Sequence, residues 1–473
     1  MTKLRSYRID HSALRVPTFW GAVVLLGLLG VPSRAASQSP GSRDGGSALD
    51  RVVQEALASN LTLAQARELE TRAEAELRVA RGRLLPSLSL ESRYSEQAGT
   101  VDLGDFVNPA NATLNQLLGE SRFPTDLSVT LPYRHESRAR LVQPLFNERI
   151  RAAHAAARHG LERERAQRRA TARNVAAQAQ TAFLNVAAAR GARLIWEATL
   201  PLVEESERVA QRLVDVGTAT PDAVFRARAE RSDVEQALLE AREQEAAAAR
   251  AFNRLVDRPL DAPVEPVLEA ALLSELTITE GEAVAHALRG RDELAGLEAG
   301  IGASDAGVRA ATASFLPEVA LALDYGFQGR DLSFGRDQDF WTASLVVSWN
   351  LFNGGQDAAR RQAARADAQR LRLQREEAED LVRLDVRQAY RAARVAWDAI
   401  EAAQDRLASA QRSFQLVRRR YEEGLATQIE FLDARTTLTS AELNRVVTVY
   451  RYAIRWVDLE RAAALRDLGS LEN

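Results

Sequence analysis

The chain runs to 473 residues with 62 basic and 65 acidic side chains and no cysteine, which excludes thiolate metal sites, cysteine nucleophiles, disulfides and a lipidated N-terminal cysteine. Its formal charge of −3 argues against a nucleic-acid surface, which needs a basic excess. A length that would ordinarily divide into two or three domains carries one uniform alanine-, arginine- and glutamate-rich texture, and this points to a single elongated architecture.

Residues 1–36 are expected to be a secretory signal. Lys3, Arg5, Arg8 and Arg15 make a basic start, Phe19 to Val31 is apolar, and Ala35 and Ala36 offer a cleavage site. The other reading, an N-terminal membrane anchor, is disfavoured because the apolar run falls short of the ~20 residues a spanning helix needs. Removing the segment takes away five basic residues and Asp10, moving the formal charge from −3 to about −7. No later stretch is long and apolar enough to span a membrane as a helix, so insertion would require a closed β-barrel, the other fold that satisfies every backbone polar group.

From Ala66 to Arg83 arginines alternate with glutamates at helical spacing, the pattern of a solvated helix face rather than of a nucleic-acid patch. Ser87 to Tyr94 alternates like a strand. Residues 98–125 read as a long surface loop, and the alternation resumes from Asp126 to Phe146 with Pro132 inside it. Residues 148–216 contain one proline, Pro201, and at ~1.5 Å per residue would form a helix of ~100 Å. Gly217 then marks a turn into a shorter helix. Residues 257–270 hold three prolines and break the helical pattern, which makes them a linker.

After the linker the plan repeats. An offset of 231 residues lays Leu63, Arg78, Leu85, Pro86 and Tyr94 on Leu294, Arg309, Leu316, Pro317 and Tyr325, and an offset of 207 lays Phe183, Gly217 and Ala227 on Tyr390, Gly424 and Ala434. The chain therefore reads as an internal duplication: a first repeat over 48–256 (helix, two strands, long helix, short helix), the linker 257–270, a second repeat over 271–466 and a tail over 467–473. The glycines of 296–304 fall in a helical stretch without a preceding strand and read as close-packing positions.

The second repeat carries the clearest strands. Val319, Leu321, Leu323, Tyr325 and Phe327 share one face of 319–327, and Trp341, Ala343, Leu345, Val347, Trp349 and Leu351 share one face of 341–351. This is the apolar-out, polar-in period of a lipid-facing barrel strand, although the strands alone also fit the edge of a soluble β-sandwich. In the second long helix, 355–423, Val386, Ala393, Ile400, Leu407, Phe414 and Tyr421 recur every seven residues, a packing seam between supercoiled helices.

Nothing in the sequence assembles a catalytic or metal centre. The five histidines are scattered, and the spacing of His154 and His159 suits metal poorly. Carboxylate pairs such as Glu376 and Glu377, or Asp380 and Asp385, sit in charged helices without a recognisable pocket. A non-enzymatic protein without cofactor or metal is expected.

The passage from Arg418 to Leu465 closely resembles the signature of the TolC family of outer membrane factors, and that from Arg212 to Ala241 resembles its counterpart. The likeness extends through Leu84 to Leu90, Leu141 to Asn147, Phe315 to Leu321 and Leu351 to Gly355. It implies an α+β membrane protein. In that family four strands from each of three subunits close a twelve-stranded outer-membrane β-barrel, and the long helices continue it as a periplasmic coiled-coil barrel. The implied function is the exit duct of a tripartite efflux or type I secretion system, passively conducting solutes or protein. The implied partners are two further copies of the chain, a periplasmic adaptor, an inner-membrane RND or ABC transporter and outer-membrane lipid. The alternative is a periplasmic coiled-coil scaffold without a pore.

By the same resemblance Gly217 and Gly424 occupy the tip turns where adaptors dock, and Glu430 and Asp433 line the closed periplasmic aperture. Tyr421 matches a tyrosine of the network that keeps that aperture shut, whereas the arginine position of the network is Ala426 here. The other reading of Glu430 and Asp433 is a solvated helix start after a glycine turn, where acidic side chains suit the helix dipole.

Overall fold

The computed structural model describes residues 48–96, 101–127, 130–131, 134–264, 275–329 and 338–468, together with positions 332, 334 and 335. The signal expected at 1–36, residues 265–270 of the expected linker and 469–473 of the expected tail lie outside the described residues.

The described residues open with α1 (Ala48–Ser59) and α2 (Leu61–Gly82). Asn60 separates them because its side chain accepts from the amides of Thr62 and Leu63 at 2.9 and 3.2 Å, capping α2. Then come β1 (Ser87–Tyr94), a short β2 (Val101–Asp102), α3 (Gly104–Leu118), a short β3 (Thr130–Leu131) and β4 (His135–Phe146). The loop expected over 98–125 thus contains a helix. Its stabilising contacts are supplied from outside the helix: Asn108, Asn111 and Asn115 donate to the carbonyls of Leu127, Pro124 and Phe123 at 2.7–2.8 Å, zipping one face of α3 to the segment that follows it.

Two helices dominate the molecule, α4 (Glu148–Asp215) and α8 (Gln356–Glu422), of 68 and 67 residues. At ~1.5 Å per residue each reaches ~100 Å. They begin and end within one residue of the stretches expected from composition. Each folds back through a glycine turn, α4 into α5 (Asp222–Leu255) and α8 into α9 (Gln428–Ala462). Between these hairpins lie α6 (Glu280–Gly290), α7 (Asp292–Thr312), β5 (Glu318–Gly329) and β6 (Asp339–Ser348).

β1, β4, β5 and β6 form one antiparallel sheet in the order β1-β4-β5-β6. β6 stops at Ser348, three residues short of the alternation in the sequence. Beyond that point Trp349 turns away to donate to the Phe315 carbonyl at 3.2 Å, and Asn350 donates to Asp357 in the first turn of α8.

The buried residues form seams between helices rather than one globular core. Val52, Ala56, Val175, Phe183 and Phe252 join α1, α4 and α5; Ala283, Leu294, Val386, Ala393 and Leu459 join α6, α7, α8 and α9. Val386, Ala393, Ile400 and Phe414 of the seven-residue stripe are buried, whereas Leu407 and Tyr421 are half-buried. Small side chains set the spacing: a Cβ on Gly302 of α7 would come within 2.8 Å of the His159 ring on α4. No described helix is long and apolar enough to cross a membrane.

Candidate functional site: the sheet wall and the helical tip

Strand alternation gives the sheet two unlike faces. In register across it run Leu88, Leu141, Leu323 and Ala343, then Leu90, Ala139, Tyr325 and Trp341. Among the described residues nothing of this chain packs over this apolar face, and Leu90 and Trp341 on it are 79% and 76% exposed. A continuous apolar surface of this kind is stable only against an apolar neighbour. Beyond Tyr325 and Trp341 the same face is mixed: Ser92 is bonded to Ser137 at 2.6 Å and the fully buried His135 to Ser137 at 2.7 Å, while Phe327, opposite Ser137, meets the rings of Tyr325 and Phe334.

The opposite face is charged. Arg138 lies 2.9 Å from Glu91 and 3.2 Å from Glu136, Arg93 lies 3.0 Å from Glu136, and Arg140 lies 3.6 Å from Asp324. A wall that is apolar on one side and ion-paired on the other matches a strand layer between lipid and water. Among the described residues the outer edges of β1 and β6 pair with nothing in this chain, and such edges require another strand before the layer can sit in hydrocarbon.

The tip lies at the far end of α4 and α8 from the sheet. Gly217 and Gly424 adopt left-handed backbone angles, φ 73° and 72°. Each closes its helix by the same pair of bonds: Gly217 N–H donates to Val214 O and Thr218 N–H to Leu213 O, while Gly424 N–H donates to Tyr421 O and Leu425 N–H to Arg420 O. This Schellman arrangement satisfies the last carbonyls, and the positive φ favours glycine because a Cβ would crowd the backbone.

Glu430 sits in the first turn of α9 within a capping box. The Thr427 hydroxyl accepts from the Glu430 amide at 3.2 Å, and Glu430 Oε2 accepts from the Thr427 amide at 2.6 Å. The Thr427 backbone hydrogen bond, followed by that of its hydroxyl, holds the exposed Glu430 carboxyl below its ordinary range. Asp433 is exposed on the next turn. Tyr421 lies across the turn with its ring stacked on Phe431, centroids 4.9 Å apart, and burial pushes its phenol up. Phe431 also contacts Phe414, so the tip has its own small aromatic core.

One pairing at the tip has no sequence signal. Arg435 of α9 is 2% exposed and forms an ion pair with Glu230 of α5. Seven residues nearer the turn on both helices, Gln428 donates to the Ala223 carbonyl at 3.1 Å. These contacts tie the two hairpins together. Nothing in the order of residues distinguishes Arg435 from the many solvated arginines of the helices. Elsewhere His159 is bonded to Glu162, and no group of three or more potential metal ligands occurs among the described residues.

Comparison with known proteins agrees with this geometry. The Brucella suis outer membrane efflux protein BepC is 25% identical over 292 residues, 59% of this chain and 62% of that protein, so the chain spans less than two thirds of its length. The probable efflux pump outer membrane protein TtgC of Pseudomonas putida is 25% identical over 404 residues, 84% of this chain and 78% of that protein. The Campylobacter jejuni CmeC outer membrane channel superposes with a TM-score of 0.73 at 17% identity, covering 89% of this chain and 88% of that one, a likeness of fold. Residues 52–256 and 283–465 match the sequence model of the family described as outer membrane efflux protein, and the chain belongs to that family.

Proposed function

We propose that this chain is the outer-membrane exit duct of a tripartite efflux or type I secretion system, conducting solutes or protein rather than transforming them. Three copies close the four-stranded sheet into a twelve-stranded barrel with the apolar face toward lipid and the ion-paired face toward the lumen. The long helices continue that lumen through the periplasm toward an adaptor and an RND or ABC transporter. The observation that carries this reading is the two-faced sheet with open edges at both ends. A pore-less scaffold has no use for such a wall.

In this reading the turns at Gly217 and Gly424 are the adaptor-docking tip. Glu430 and Asp433 form acidic rings at the aperture, favouring cations, and Tyr421 braces them through Phe431. The capping role of Glu430 is compatible with that position, since it engages Oε2 and leaves the carboxylate exposed.

The mass of the mature protein extracted from outer membranes in mild detergent, followed by conductance in planar bilayers, tests the proposal. A conducting trimer is expected. A water-soluble monomer would overturn it and restore the scaffold.

A further inference from the structure

α3 presents an apolar stripe that no part of the described chain covers. At ~100° per residue, Phe106, Val107, Leu114, Leu117 and Leu118 fall within an arc of ~120°, and Phe106 and Leu117 are 71% and 79% exposed. The arc borders a face already occupied, since Asn108, Asn111 and Asn115 are consumed by the backbone of residues 123–127. A patch of this kind marks a contact surface.

Two features identify the occupant. Residues 101–121 contain Asp102, Asp105 and Glu120 and no basic residue. A helix lying on an anionic lipid surface uses lysine and arginine on its polar side, so the charge disfavours a lipid headgroup layer. The second feature is topological. α3 leaves the sheet from the distal end of edge strand β1, whereas the distal end of the other edge strand, β6, leads into the β5–β6 turn, where Leu332 is exposed and Phe334 packs its ring edge-on against Phe327 and His135 of its own chain. Closing a barrel from copies of this chain sets β1 of one copy beside β6 of the next, which brings the α3 stripe and Leu332 to the same end of the same seam.

We infer that the α3 stripe clasps a second copy of this chain, packing over Leu332 of the neighbouring subunit at the distal end of the seam. The inference rests on the trimeric reading above. It adds an interlock outside the strand ladder, so that subunit pairing is held by side-chain packing as well as by backbone hydrogen bonds.

Because the chain has no cysteine, single thiols report cleanly. In trimer purified from membranes, L117C combined with L332C is expected to give covalent dimers and trimers on mild oxidation, and Q116C combined with L332C to give little. In a second measurement that does not need the double variant, L117C in intact cells is expected to react about tenfold more slowly with a membrane-impermeant maleimide than Q116C, the protection a covered site confers. Equal labelling rates, or an assembled trimer without cross-links, would overturn the inference. Rapid reaction of L117C with a lipid-soluble maleimide alone would assign the stripe to the bilayer instead. A wild-type protein that is not trimeric would fail the exit-duct reading itself.

Discussion

Arg435 on α9 pairs with Glu230 on α5, one heptad beyond the bond from Gln428 to the Ala223 carbonyl. The guanidinium is almost wholly enclosed, and among the described residues the Glu230 carboxylate pairs with it while its Nε and Nη1 bond no other group. Removing one member of a buried pair costs about 3–5 kcal/mol because the other charge is left uncompensated. Glu230→Gln is expected to lower the thermal midpoint of the detergent-solubilised protein strongly, and the double change Glu230→Leu/Arg435→Leu to lower it less. Equal losses would show that the pairing itself contributes little.

Acid is expected to weaken the α4–α5 hairpin through Glu245. Burial pushes its carboxyl up, but hydrogen bonds from Arg190 and Arg193 outweigh burial and hold it below the ordinary value of 4.5. A carboxyl depressed in the folded state contributes stability that is complete above its unfolded value and is lost as pH falls through the folded one. The difference in melting temperature between wild type and Glu245→Gln should therefore be constant at neutral pH and shrink below pH 4.5. A difference that persists unchanged at lower pH would remove the ion pairs as its cause.

The tip glycines should tolerate substitution unequally to their surroundings. No atom lies within 4 Å of a Cβ built on Gly217 or Gly424, so space does not forbid alanine, but φ above 70° does penalise it. Gly424→Ala is expected to cost about 1–2 kcal/mol, read as increased hydrogen exchange of the last turn of α8 with the sheet unaffected.

Capping and the proposed aperture role at the start of α9 can be separated. Glutamine also serves at the third position of a capping box, so Glu430→Gln/Asp433→Asn is expected to reduce cation preference in single-channel recordings without loss of stability. Thr427→Ala should instead cost about 1 kcal/mol and leave the ion preference as it was. An unaltered reversal potential in the acid-neutralised channel would assign Glu430 to capping alone.

The two faces of β6 predict opposite tolerances. Leu345 belongs to the exposed apolar face and Ser344, its neighbour, to the ion-paired one. An arginine on the lipid side of a barrel costs about 2–4 kcal/mol at mid-bilayer, whereas lumenal positions accept charge. Leu345→Arg is expected to reduce the amount of heat-stable trimer in the outer membrane, and Ser344→Arg to leave it unchanged while altering conductance.

The helices and the glycine turns were legible in the sequence, because a helix of nearly seventy residues and a seven-residue apolar repeat are local patterns that need no partner to be read. The faces of β5 were legible for the same reason, since side chains in a strand alternate whatever it pairs with. What the tertiary structure decided was set by groups far apart in the chain. The helix within 98–125 depends on asparagines meeting backbone that folds back on them. The end of β6 at Ser348 depends on Trp349 reaching Phe315. The burial of Arg435 depends on the docking of two hairpins, and an arginine enclosed against Glu230 has the same letter in the sequence as one in water. Periodicity specifies which surface of an element is apolar, but only the packing of elements determines which polar side chains that surface encloses.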